Sequence, residues 1–172
     1  MTMSQENIQV FSEFLIEAGS TLFQTLGVTL VPIAPPCAPQ EPVGVRASLA
    51  FDGSDLCGVI VLEMSAALVA RLHPDPTPGL AELRDWVGEL NNLMVGGLKS
   101  TVLTRGAVLE CATPLTAPEA PALRTEGLRS FQFAAENGRV DVFFTAAERR
   151  SLDLTEIGED AYCAVPGEPL FF

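Results

Sequence analysis

The stretch LAELRDWVGELNNLMVGGLKSTVLTRG, residues 80–106, decides how the chain is read. On a wheel of 100° per residue with Asp85 at zero, Leu83, Trp86, Val87, Leu90, Leu93, Met94, Leu98 and Thr101 fall between about 80° and 220°. Asp85, Gly88, Glu89, Asn92, Gly96 and Lys99 gather within about 60° of zero. The pattern predicts a long helix from Leu80 to Thr104, stopped by Arg105-Gly106, with one buried face and one open face. On the open face Glu89 and Asn92 stand at i, i+3 and project together. Asn91 points about 200° away from Glu89, so the pair is Glu89 with Asn92. Gly88 and Gly96 flank that pair, with Gly97 nearer the core side. Each glycine inside a helix costs about 1 kcal/mol relative to alanine. Bare backbone beside two polar groups suits a surface that another molecule approaches closely. Plain solvation also leaves a polar stripe on an amphipathic helix, so periodicity alone does not assign chemistry.

Working outward, residues 5–26 carry Ile8, Phe11, Leu15, Leu22 and Leu26 at helical spacing, with Ser4 as N-cap and Gly27 as stop. Residues 28–33 read as a strand. Five prolines between Pro32 and Pro42 make an extended loop. Residues 43–51 alternate apolar and polar, residues 52–55 form a turn, and residues 56–64 return as the second strand of a hairpin. Residues 66–72 form a short helix, broken by three prolines between His73 and Gly79. Beyond the long helix, residues 107–113 read as a strand stopped by Pro114, and residues 116–126 as a loop. Residues 128–135 and 139–145 read as strands joined by Asn137-Gly138, a strong hairpin signal. The order predicts an α+β domain with a mostly antiparallel sheet packed against two long helices. Helix, strand, hairpin recurs in both halves, which suggests a pseudo-twofold. The domain is expected over residues 1–145. Residues 146–172 are expected to be an acidic C-terminal extension, partly ordered at best, whose Leu170, Phe171 and Phe172 could dock.

The chain has 172 residues, 10 Lys+Arg against 22 Asp+Glu, and a net charge of −12. Its 48% apolar content excludes a disordered chain. The acidic excess sits mainly in the ends and argues against nucleic acid or anionic membrane as partners. Cys37, Cys57, Cys111 and Cys163 show no metal-ligand spacing, and His73 is the single histidine. A metal site and a Ser-His-Asp triad are therefore not expected. The cysteines read mostly as small buried hydrophobes, with Cys37 exposed between prolines. Neither a signal peptide nor a membrane-length apolar run is present, so a reduced, cytoplasmic setting is expected. His73 precedes Pro74 at a helix end, and Trp86 reads as a core anchor.

The run DWVGELNNLMVGGLKSTVLTRGAVLECATP resembles the CheC/CheX chemotaxis phosphatases. The matching positions are Glu89, Asn92, Gly96, Lys99, Gly106 and Pro114. Weaker resemblance extends over residues 5–145. The first helix lacks a second Glu-x2-Asn, so the pattern is CheX-like, with a single site. The resemblance implies hydrolysis of the phospho-aspartate of a CheY-like receiver domain. Asn92 would orient the attacking water, and Glu89 would contact a receiver lysine. Asp85, Gly88, Gly96 and Lys99 would line the partner surface. It implies no cofactor of the chain's own, since Mg²⁺ would belong to the receiver, and it is compatible with a homodimer. Two alternatives stay open. One is a non-catalytic module that binds a receiver or a flagellar-switch partner; the other is a structural adaptor with no receiver.

Overall fold

The structure, a computed structural model, describes residues 3–33, 44–111 and 127–155. Its elements in chain order are α1 (Gln5–Thr25), β1 (Val31–Ile33), β2 (Gly44–Asp52), β3 (Leu56–Ser65), α2 (Ala66–Leu72), α3 (Leu80–Leu103), β4 (Arg129–Ala135) and β5 (Gly138–Glu148). The proline run after residue 33, the loop 116–126 and the acidic stretch after residue 155 lie outside the described residues.

The five strands form one antiparallel sheet in the order β1-β4-β5-β3-β2. Alternation in β2 sends Val45, Ala47, Leu49 and Phe51 to the helix-covered face, opposite Met64, Leu62, Ile60 and Gly58 of β3. α3 lies across β2 and β3, and α1 packs on α3. Phe11 of α1 joins the layers, with its ring 5.9 Å from that of Phe51 and 5.5 Å from that of Phe144. Val87, Leu90, Met94, Leu98 and Val102 bury the inner face of α3. At about 1.5–3 kcal/mol for each fully buried apolar side chain, this row outweighs the cost of the helix glycines.

Both long helices end on the same cap. Gly27 and Gly106 lie 79 residues apart (106 − 27), and each has φ of 73°. Val28 N–H donates to Phe23 O at 2.8 Å, and Ala107 N–H donates to Val102 O at 3.3 Å. Only glycine takes this left-handed turn without strain. The sheet repeats the pattern. β3 and β5 pair at its centre, β2 and β4 flank them, and β1 lies outside β4. The chain after α3 lies outside β2, where Cys111 bridges Phe51 and Asp52 N–H donates to Glu110 O at 2.8 Å. Each flanking strand thus has a short segment outside it, a three-residue strand beside β4 and a single bridge beside β2.

Several local expectations need correction. Of the expected strand 107–113, residues 107–111 make that single bridge among the described residues, and residues 112 and 113 lie outside them. β1 is only three residues long and contains Pro32, which an edge strand tolerates. In the second hairpin Ala135 pairs with Gly138, so the two loop residues are Glu136 and Asn137. Only Asn137 has positive φ, at 68°, whereas a type I′ turn needs it at both central positions. Gly138 serves packing instead, because a Cβ there would sit 1.9 Å from Ser65 Oγ. The expected boundary at residue 145 falls inside β5. The chain after β5 packs on α1. Leu154 is fully buried, and the Asn7 side chain donates to Leu152 O at 2.7 Å and accepts from Leu154 N–H at 2.9 Å. Cys57 is half-buried and Cys111 exposed, so neither is a core residue.

Candidate functional site

The middle of α3 is held at a fixed rotation by a residue that periodicity placed away from the site. Asn91 is fully buried, and its amide donates to Ala47 O at 3.3 Å and Ile60 O at 3.2 Å. These two bonds join the helix to β2 and β3 together. A buried amide without partners costs about 1–3 kcal/mol, so these bonds specify which side of α3 faces the sheet. With Asn91 inward, Glu89 and Asn92 both face solvent.

Among the described residues, Asp85, Glu89, Asn92 and Lys99 are exposed and make no side-chain hydrogen bond or ion pair. Their donors and acceptors are free for another molecule. Gly96 is also exposed, and a Cβ there would meet nothing within 4 Å. Gly88 departs from expectation: it is buried and belongs to the packing rather than to the open face. Leu93 departs in the opposite sense and is 55% exposed. α1 crosses α3 near Met94 and Gly97; a Cβ on Gly19 would lie 3.4 Å from Met94 Sδ, and one on Gly97 3.5 Å from Ala18 Cβ. Leu93 falls at the edge of the apolar arc and is left open.

Trp86 is half-buried, and its ring meets that of His73 edge-on at 5.7 Å. His73 caps α2 by donating its backbone N–H to Val69 O, and its Nδ1 accepts from Asp75 N–H at 3.0 Å. His73 lies at the end of α2, and Trp86 lies on α3 one turn before Glu89. A depression between α1 and β4, lined by Gln5, Ile8, Gln9, Arg129 and Phe131 among others, includes no residue of α3. Among the described residues no group of three or more His, Cys, Asp or Glu could hold a metal ion. No helix among them is long and apolar enough to cross a membrane.

An α+β domain with one five-stranded antiparallel sheet under its helices is the fold of CheX and CheC-like chemotaxis proteins, and the chain has that fold. No family model and no curated protein sequence matches it. Among solved structures, chemotaxis protein CheX from Vibrio vulnificus is similar with a TM-score of 0.65 and 20% identity, over 79% of this chain and 95% of that one. A CheC-like superfamily protein from Shewanella sp. PV-4 gives 0.66 and 18%, over 84% and 99%. The Borrelia burgdorferi CheX solved as a CheX–CheY–BeF3–Mg²⁺ complex gives 0.60 and 15%, over 80% and 98%.

Proposed function

We propose that the protein is a cytoplasmic phosphatase acting on the phospho-aspartate of a CheY-like receiver domain. An acyl phosphate is already reactive, so the catalyst needs mainly to place one water in line with the bond that breaks. The water oxygen attacks phosphorus, the bond to the acyl oxygen breaks, and the products are the aspartate carboxylate and inorganic phosphate. Asn92 suits that task because a neutral amide both accepts from and donates to water without repelling the phosphoryl oxygens. Glu89, one turn away on the same face, is suited to a cation of the receiver and would fix the docking register. Asp85, Gly96 and Lys99 form the rim of this surface. Gly88, being buried, is withdrawn from it. Mg²⁺ would be held by the receiver's own carboxylates.

The single observation that carries this reading is the free, outward pairing of Glu89 and Asn92 on a helix whose rotation Asn91 fixes. The test is phosphate release from a phosphorylated receiver with wild type and Asn92→Ala. A catalyst accelerates release and loses about a hundredfold or more in kcat on the substitution, with the complex still forming. A docking module binds the receiver and accelerates nothing in either form.

A further inference from the structure

We infer that Leu93 is a specificity-determining residue, the apolar contact by which α3 selects the protein that brings its phosphoryl group to Asn92; this rests on the function proposed above. The other large exposed apolar residues of α3, Leu80 at 57% and Leu103 at 58%, lie at its two ends. Leu93, at 55%, lies mid-helix beside the Glu89–Asn92 pair. It follows Asn92 directly in the chain, about 3.8 Å away between Cα atoms. Helical spacing puts Glu89, Leu93 and Gly96 in one row. The space over Gly96 is empty, so the backbone beside Leu93 forms an open shelf.

A phosphoryl group carried on a folded protein reaches the Asn92 amide only if the surrounding surface closes over the adjacent turn. Leu93 is in that turn. Its side chain neither donates nor accepts a hydrogen bond, so it cannot orient water. Covered by an apolar patch it adds affinity, and covered by charge it penalises the complex. Its effect therefore belongs to encounter rather than to turnover. The partner that fits is a receiver domain with an apolar patch adjoining its phosphoryl pocket.

The experiment measures inorganic phosphate release from the source organism's receiver domains, each phosphorylated with acetyl phosphate. The full chain is compared with Leu93→Ala, Leu93→Met and Asn92→Ala. The expected result is a KM raised about tenfold by Leu93→Ala, with kcat within about twofold of wild type, and KM restored by Leu93→Met. Asn92→Ala shows the reverse split. If Leu93→Ala leaves KM unchanged, or lowers kcat at unchanged KM, the inference is overturned while the activity stands. If wild type accelerates release from none of the receivers, the activity itself is refuted, and the inference with it. Light scattering supplies the remaining arm: a wild-type dimer that Leu93→Ala dissociates assigns Leu93 to self-association and overturns the inference.

Discussion

α1 and α3 end on the same cap 79 residues apart, yet they present different chemistry to solvent. Carried back by that offset, Glu89 falls on Val10, Asn92 on Glu13, Gly96 on Glu17 and Asn91 on Ser12. Val10 is half-buried, and Glu13 accepts from Gln9 Nε2 at 3.2 Å. Ser12 Oγ donates to Ile8 O at 2.6 Å within its own helix, whereas Asn91 reaches two strands. One helix is tied to the sheet and carries a neutral amide outward. The other lies on its partner helix and carries the Glu13 carboxylate where α3 carries Asn92, and a carboxylate there would repel a phosphoryl group. The difference teaches that two helices with the same cap can present different side chains to solvent, so the proposed chemistry has to be argued from the side chains and not from the fold.

The largest effect that tests this contrast is on turnover. Asn92→Ala should lower kcat about a hundredfold or more, while Glu13→Ala at the equivalent position leaves it within about twofold. A comparable loss from Glu13→Ala would show that both faces act. Next comes the tie to the sheet. Asn91→Ala should cost about 1–3 kcal/mol of stability by denaturant titration, because it strips the amide that joins α3 to Ala47 and Ile60. Ser12→Ala should cost little.

Two buried acids sharpen the contrast between halves. Burial raises the Asp55 pKa, but the Val108 N–H, 2.7 Å away, and the Arg150 guanidinium outweigh it and hold the carboxyl below its ordinary value of 3.8. Asp141 of β5 lies directly opposite Glu63 of β3, and the two are 1% and 2% exposed. Burial pushes its pKa up, the Glu63 charge adds to this, and the Arg139 guanidinium at 2.7 Å only partly offsets it. The signs oppose each other. Asp55 contributes stability that is present above the unfolded pKa and lost as pH falls through the depressed folded pKa. Asp141 favours the fold while protonated, below the unfolded value, and that contribution is lost as pH rises through the raised folded pKa. At neutral pH Asp55→Asn should therefore lower the Tm and Asp141→Asn raise it. Thermal melts across pH check both, and the two variants should converge on wild type well below pH 3.8.

Much of this fold is written in local pattern, because α1, α3 and the two hairpins each bury one face at a fixed period. What local pattern leaves out is which neighbour covers which sector. Gly88 and Leu93 exchange places relative to the wheel, Gly88 being buried and Leu93 exposed. The contacts of Asn7 with Glu148, Leu152 and Leu154 join residues more than 140 positions apart and leave no periodic trace. Residues 107–111 have strand composition, but among the described residues they make one bridge, to Phe51. Glu89 and Asn92 were legible because a polar pair at i, i+3 needs only the helix itself to bring it together. Their setting was not, since Asn91 finds its acceptors only once β2 and β3 have paired.

The smallest effect separates the open shelf from ordinary helix surface. Gly96 has room for a methyl group and sits inside α3, so Gly96→Ala should stabilise the free protein by up to about 1 kcal/mol through helix propensity alone. If the shelf beside Leu93 is where a receiver's backbone or loop comes close, the same methyl group should raise KM while leaving kcat unchanged. Stability and affinity then move in opposite directions on one substitution, which packing within this chain cannot produce. A variant that melts higher and turns over its receiver with unaltered KM would leave Gly96 as a solvated glycine and move the contact surface towards Asp85 and Glu89.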